Sequence, residues 1–183
     1  MSASRPPGLK DPLVRFLVTG VLLYVSWRLL YDLVIHPWGV LDRAVIDNLM
    51  LLSGGILEAL GFTLLPEPSM DTNRYLGVQG GSMLWIGDPC NGVSVFAVYI
   101  IFLLAYPGRW NLKLLFIIGG VLLIHLLNAL RIVALCYIVT VDYELLNFNH
   151  DYTFYVIVYG VVFLLWYVWV TRFASRAMNT ART

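Results

Sequence analysis

Leu114–Val139 reads LLFIIGGVLLIHLLNALRIVALCYIV, and Arg131 is its only formal charge. A helix that crosses a bilayer needs about 20 mostly apolar residues, so this run spans with residues to spare. Three other runs have the same character, at 13–35, 91–106 and 153–173. The chain is 60% hydrophobic and 13% charged, whereas a soluble domain is about 45–50% apolar and about 25% charged. The expected fold class is an all-α integral membrane protein with about four transmembrane helices, forming one membrane domain over 1–183.

The first run has Arg28 and Asp32 near its far end. Its polar leader, MSASRPPGLKDPLVRF, has no small-residue cleavage site after it, so the run is expected to stay as a span. Residues 44–65 are also apolar, yet Asp47, Gly54, Glu58 and Gly61 recur at helical spacing with Leu and Met opposite. That pattern predicts an amphipathic helix lying at the outer membrane surface. RYLGVQGGSMLWIG at 74–87 then predicts a short hairpin or loop.

Lys and Arg set the orientation. Arg5, Lys10 and Arg15 lie in or next to the N-terminal tail; Arg109 and Lys113 sit in the turn after the second span; Arg172, Arg176 and Arg182 lie in or next to the C-terminal tail. The segment VDYELLNFNHD at 141–151 has acids and neither Lys nor Arg. Both tails and the PGRWNLK turn are therefore expected in the cytoplasm. Cys90 and the acidic loop are expected on the extracytoplasmic side of a multi-pass inner-membrane protein. A net charge of +1 gives nucleic acid no footing. Two cysteines cannot build a disulfide framework, and the three histidines are far apart, so neither a metal nor a cofactor is expected.

An ionisable residue at membrane depth costs a few kcal/mol unless paired or hydrated, and marks the place to look for function. Cys90, in GDPCNGV, opens the second span; His125, Asn128 and Arg131 recur every three residues in the third; His150 opens the fourth. Each has a plain alternative. Arg131 could snorkel to headgroups, His150 could be a surface residue at a helix entry, and Cys90 could be a packed hydrophobe or the disulfide partner of Cys136. Cys136, among Leu and Tyr, reads as packing. The topology nevertheless puts Cys90, Arg131 and His150 at one face. A thiolate is a nucleophile, an imidazole moves protons near neutral pH, and a guanidinium stabilises a thiolate or oxyanion. Asn128 would brace Arg131. Asp88 would cap the following helix, orient His150 or bind substrate, with the cap preferred. His125 lies deeper and takes no catalytic role.

At these residues the chain resembles the exosortase/archaeosortase family of membrane-embedded cysteine transpeptidases. PCNGV is similar to its Cys-Ser/Asn-Gly block, NALRI to its Asn-x-x-Arg block and HDYTFYVIVYG to its His block. The resemblance covers roughly residues 45–170, in the right order, and suggests a compact bacterial form. It implies Cys90 as nucleophile, Arg131 as anion stabiliser and His150 as acid/base, with Asn91 standing where serine is commoner. It also implies secreted substrate proteins whose C-terminal sorting signal has three parts, a short motif, a hydrophobic helix and a basic tail, and a lipid or envelope acceptor for the new C-terminus. The rival expectations are a non-catalytic assembly or transport module, with Arg131 and His125 forming a polar helix seam, and an intramembrane cysteine protease that only hydrolyses.

Overall fold

Asp11 opens the first helix, its side chain accepting the amide of Leu13 at 2.9 Å while Pro12 occupies the first turn. The structure, a computed structural model, describes residues 11–66, 74–142 and 154–174. His150 and the charged tails lie outside them. Helix α1 runs Pro12–Trp38 and contains a π turn at Tyr31–Ile35. It buries no side chain before Tyr31, and leaves Val21, Leu22 and Leu29 exposed. A helix with an apolar exposed surface belongs in lipid. Arg28 and Asp32, one turn apart, pair at 2.7 Å, which accounts for the two charges in this span.

Gly39, at φ 70°, turns the chain into α2, Val40–Ala59. Three contacts then climb in step along the later helix α4, Trp110–Val141. Asn48 Oδ1 meets His125 Nε2 at 2.7 Å, Ser53 Oγ donates to the Ala129 carbonyl at 3.3 Å, and the Phe62 and Tyr137 rings lie 6.1 Å apart. Helix α2 thus lies lengthwise beside the half of α4 that ends at Val141. Asp47, Gly54 and Glu58 share a face as their spacing predicts, lining a cleft of ≈ 340 Å³, but Met50 and Leu51 line it too, so Met and Leu are not confined to the opposite side of the helix. Gly61 falls beyond the helix, at φ 88°.

The hairpin expected before Cys90 is present. Strands β1, Tyr75–Leu76, and β2, Leu84–Trp85, pair antiparallel, with Tyr75 opposite Trp85. A bridge from Leu64 to Val78 ties the ribbon to the end of α2. One hydrophobic core forms between this ribbon, α2 and α4, around Ile46, Leu49, Leu57, Val78, Ala129 and Ile132.

A second core lies toward the other end of α4, between it, α3 at Val93–Ala105 and α5. Helix α5 is Phe154–Val168, continued by a π turn at Trp169–Ala174. Tyr99 is fully buried here and donates to the Phe116 carbonyl at 2.7 Å, lying over Gly120, where any Cβ would collide with its ring. Helix α1 packs antiparallel on α3, Phe16 meeting Phe102 and Tyr106 edge-on and Gly20 meeting Ala105.

Helices α1, α4 and Tyr155–Ala174 are long and apolar enough to cross a bilayer. The span expected over 91–106 is the exception. Its helix has 13 residues, about 20 Å at 1.5 Å each, against a hydrocarbon core of about 30 Å. It is cut short by Gly92 at one end and by Pro107 and Gly108 after the extended Tyr106 at the other. Non-helical backbone at membrane depth survives only where protein covers it, and the chain on the Gly92 side is the segment that carries Cys90.

Candidate active site

Residues Asp88–Cys90 form a single 3₁₀ turn after Gly87, Pro89 fixing its first half. The Cys90 amide donates to the Gly87 carbonyl at 2.9 Å and the Asn91 amide to that of Asp88 at 3.1 Å. Gly92 then adopts φ 78°, a conformation other residues rarely take. Its missing side chain matters as well, because a Cβ there would stand 3.1 Å from Asn128 Nδ2. That amide donates at 2.7 Å to the Cys90 carbonyl.

Asn91 is 3% exposed and uses both ends of its amide. Its Oδ1 accepts the Val93 N–H at 2.8 Å, satisfying one of the first donors of α3, and its Nδ2 donates to Asp42 Oδ1 at 2.6 Å. The Cys90 turn is thus gripped from α4 through its carbonyl and from α2 through the next side chain.

Arg131 follows Asn128 by three residues and is 9% exposed. Its guanidinium lies 5.6 Å from the centre of the Tyr155 ring, within cation–π range. A small cavity of ≈ 40 Å³ is lined by Pro89, Gly92, Asn128, Arg131, Tyr155 and Tyr159. That is room for a few waters at most. The residues flanking the half-buried Cys90 therefore face the same cleft as Arg131. Residues 13–168 match the transmembrane exosortase family. The chain belongs to that family. Neither a curated protein nor a solved structure matches it. As an exosortase it is a multi-pass integral membrane protein with a sorting-related role.

Of the residues read from the exosortase sequence, the structure brings Asn128 and Arg131 to the loop of Cys90. His150 lies outside the described residues. Asn128, expected behind Arg131, holds the Cys90 backbone through its side-chain amide. Asp88 does not cap a helix with its side chain; Arg74 Nη1 binds its Oδ1 at 2.8 Å. Cys90 and Cys136 are not joined by a disulfide. Cys136 is buried against the ribbon, its Sγ 3.9 Å from the Leu76 carbonyl. The polar seam through His125 exists, but it runs to Asn48, while Arg131 faces the cleft.

Sequence reasoning missed Asp42, Tyr31 and His36. Asp42 is 1% exposed and accepts from Tyr31 Oη at 2.7 Å and from Asn91. His36 Nδ1 lies 2.9 Å from its other oxygen, and a carboxylate only accepts, so that nitrogen carries a proton. A signal was available, since Asp42 is an acid at the start of an apolar helix. The stripe formed by Asp47 and Glu58 is the more visible pattern in the sequence.

Proposed function

We propose that this exosortase is a cysteine transpeptidase that cleaves C-terminal sorting signals of secreted proteins and passes the new C-terminus to a lipid or envelope acceptor. The observation that supports it is the cleft between α4, α5 and the Cys90 turn, into which Arg131 faces. Cys90 attacks the scissile carbonyl as its thiolate, forming a carbon–sulfur bond and an oxyanion. Arg131 stabilises that charge, and a permanently charged guanidinium on an aromatic face is well suited to it. His150 protonates the departing amine as the peptide bond breaks, leaving a thioester. The acceptor then attacks the thioester, giving its proton to His150, and Cys90 leaves as the thiolate with which the cycle began. Tyr155, which touches Arg131, follows His150 by five residues in the chain.

The short helix α3 supports a site sunk below the interface. A sorting signal presents its scissile bond just outside its own hydrophobic helix, and a cleft with room for only a few waters favours an acceptor over water. Cys90→Ala decides between the enzyme and a non-catalytic module. Loss of substrate cleavage at unchanged protein level supports the enzyme, and intact cleavage rules it out. The mass of the product's C-terminus separates transfer from hydrolysis, since a free carboxylate leaves only the protease.

A further inference from the structure

Asp42 holds a buried carboxylate at the first turn of α2, where the helix N-terminus favours negative charge. A buried charge is costly unless its lone pairs are filled. Three donors from two parts of the chain fill them: Tyr31 Oη and Asn91 Nδ2 on one oxygen, His36 Nδ1 on the other. Two of the donors come from α1 and depend on its π turn. Residues five apart on an α-helix point about 140° away from each other. Between Tyr31 and His36 the backbone instead closes a five-residue bond, from the His36 amide to the Tyr31 carbonyl. This narrows the offset, so both side chains reach one carboxylate. Such π turns are found often at functional sites.

The third donor gives the cluster its purpose. Asn91 follows Cys90 directly, and its other amide atom holds the first turn of α3. We propose that Asp42 is a positioning residue for the Cys90 turn, acting through its bond to Asn91, while Tyr31 and His36 fill its other lone pairs and serve stability rather than the position of the turn. The inference rests on the reading of Cys90 as nucleophile only for the purpose of the positioning. Asn128 secures the carbonyl of Cys90, and the Asp42–Asn91 pair secures the residue after it. Between them they set where the thiol stands relative to Arg131.

The test reads the thiol itself, so it needs no substrate. The full-length protein in native membranes is treated with N-ethylmaleimide, and labelling of Cys90 and Cys136 is resolved by mass spectrometry. Cys136, 1% exposed, reports on the fold and should stay unlabelled. Asp42→Asn turns charge-assisted bonds into neutral ones and should speed labelling of Cys90 by about fivefold. Asn91→Ala removes the link and should speed it by about tenfold. The double variant should match Asn91→Ala alone, because Asp42 acts through that side chain. Tyr31→Phe should lower the melting temperature yet leave the Cys90 rate within about twofold of wild type. A wild-type rate in Asp42→Asn overturns the proposal, as does an effect of Asp42→Asn that persists undiminished in the Asn91→Ala background. Should Asn91→Ala expose Cys136, Asp42→Asn against Tyr31→Phe decides alone, and equal acceleration by both leaves Asp42 a purely structural residue. Substrate cleavage that survives Cys90→Ala would overturn the transpeptidase reading without touching these rates.

Discussion

Arg131 and Gly92 show how narrow the chemistry at the Cys90 turn is. Arg131 is an anion stabiliser in the proposed reaction, and its flat guanidinium rests near the Tyr155 ring. Lysine keeps the charge but not the plane or the paired donors. Arg131→Lys is therefore expected to cut cleavage by about 100-fold at unchanged protein level, the usual cost of losing one oxyanion donor; a rate within a few-fold of wild type would remove Arg131 from the mechanism. Gly92 does its work by absence. Any side chain would be strained at φ 78° and would press on the Asn128 amide. Gly92→Ala should cost about 1–2 kcal/mol in stability from the backbone alone, and should slow cleavage because Asn128 can no longer hold the Cys90 carbonyl. Thermal melts in detergent and a cleavage assay read the two effects separately. At this scale the sequence was most informative where chemistry is rare. A cysteine between a proline and an Asn-Gly pair and an arginine inside a leucine run stand out against their surroundings. Asp42 did not, because its importance lies in what folds onto it from residues 31, 36 and 91, and no local pattern encodes that meeting.

The helices were legible for the same reason they are stable. Long apolar runs have one satisfactory state in lipid, with every backbone donor paired inside the segment, so α1, α4 and α5 fall close to where composition puts them. Their packing was not legible, because it depends on particular shapes meeting. Tyr99 and Gly120 are an example: GG at 119–120 looks like a weakness in α4, yet one of the pair is the seat of a buried tyrosine. Gly120→Ala should overpack this contact and cost about 1–3 kcal/mol. Adding Tyr99→Leu, which removes the ring that collides, should recover part of the loss in melting temperature. Additive losses would mean that the two residues do not share the space. Helix α2 was the hardest element to read. Its periodicity grouped Asp47, Gly54 and Glu58 on one face but not the Met50 and Leu51 that share it; the same stripe suits a helix in the interface and one lying against a neighbour, and only the contacts with His125, Ala129 and Tyr137 show which surface it meets.

On the scale of the whole molecule, the two cores divide α4 between them. Its 32 residues extend about 48 Å, well beyond a hydrocarbon core of about 30 Å. The Trp110 end carries Arg109 and Lys113, and the buried Lys113 ammonium donates to the Leu104 carbonyl at 3.2 Å and lies 4.8 Å from the Trp110 ring. Such anchors belong at an interface. Counting from Trp110, Asn128 and Arg131 stand about 27 and 32 Å along the axis, which places the cleft near the opposite boundary. The remainder of α4, with the ribbon against it at Gly81 and Thr140, projects past that boundary. The proposed orientation puts the ribbon and the end of α2 in the extracytoplasmic space and the Arg109 turn in the cytoplasm. In a background of Cys90→Ala and Cys136→Ala, a thiol placed by Gln79→Cys at the exposed tip of the ribbon should react with a membrane-impermeant maleimide in intact cells. One placed by Arg109→Cys should react only after the membrane is opened. The reverse pattern would invert the protein and carry the cleft to the cytoplasmic side, away from any secreted substrate. Equal labelling of both positions in sealed cells would mean that α4 does not cross at all, and the depth assigned to Arg131 would go with it.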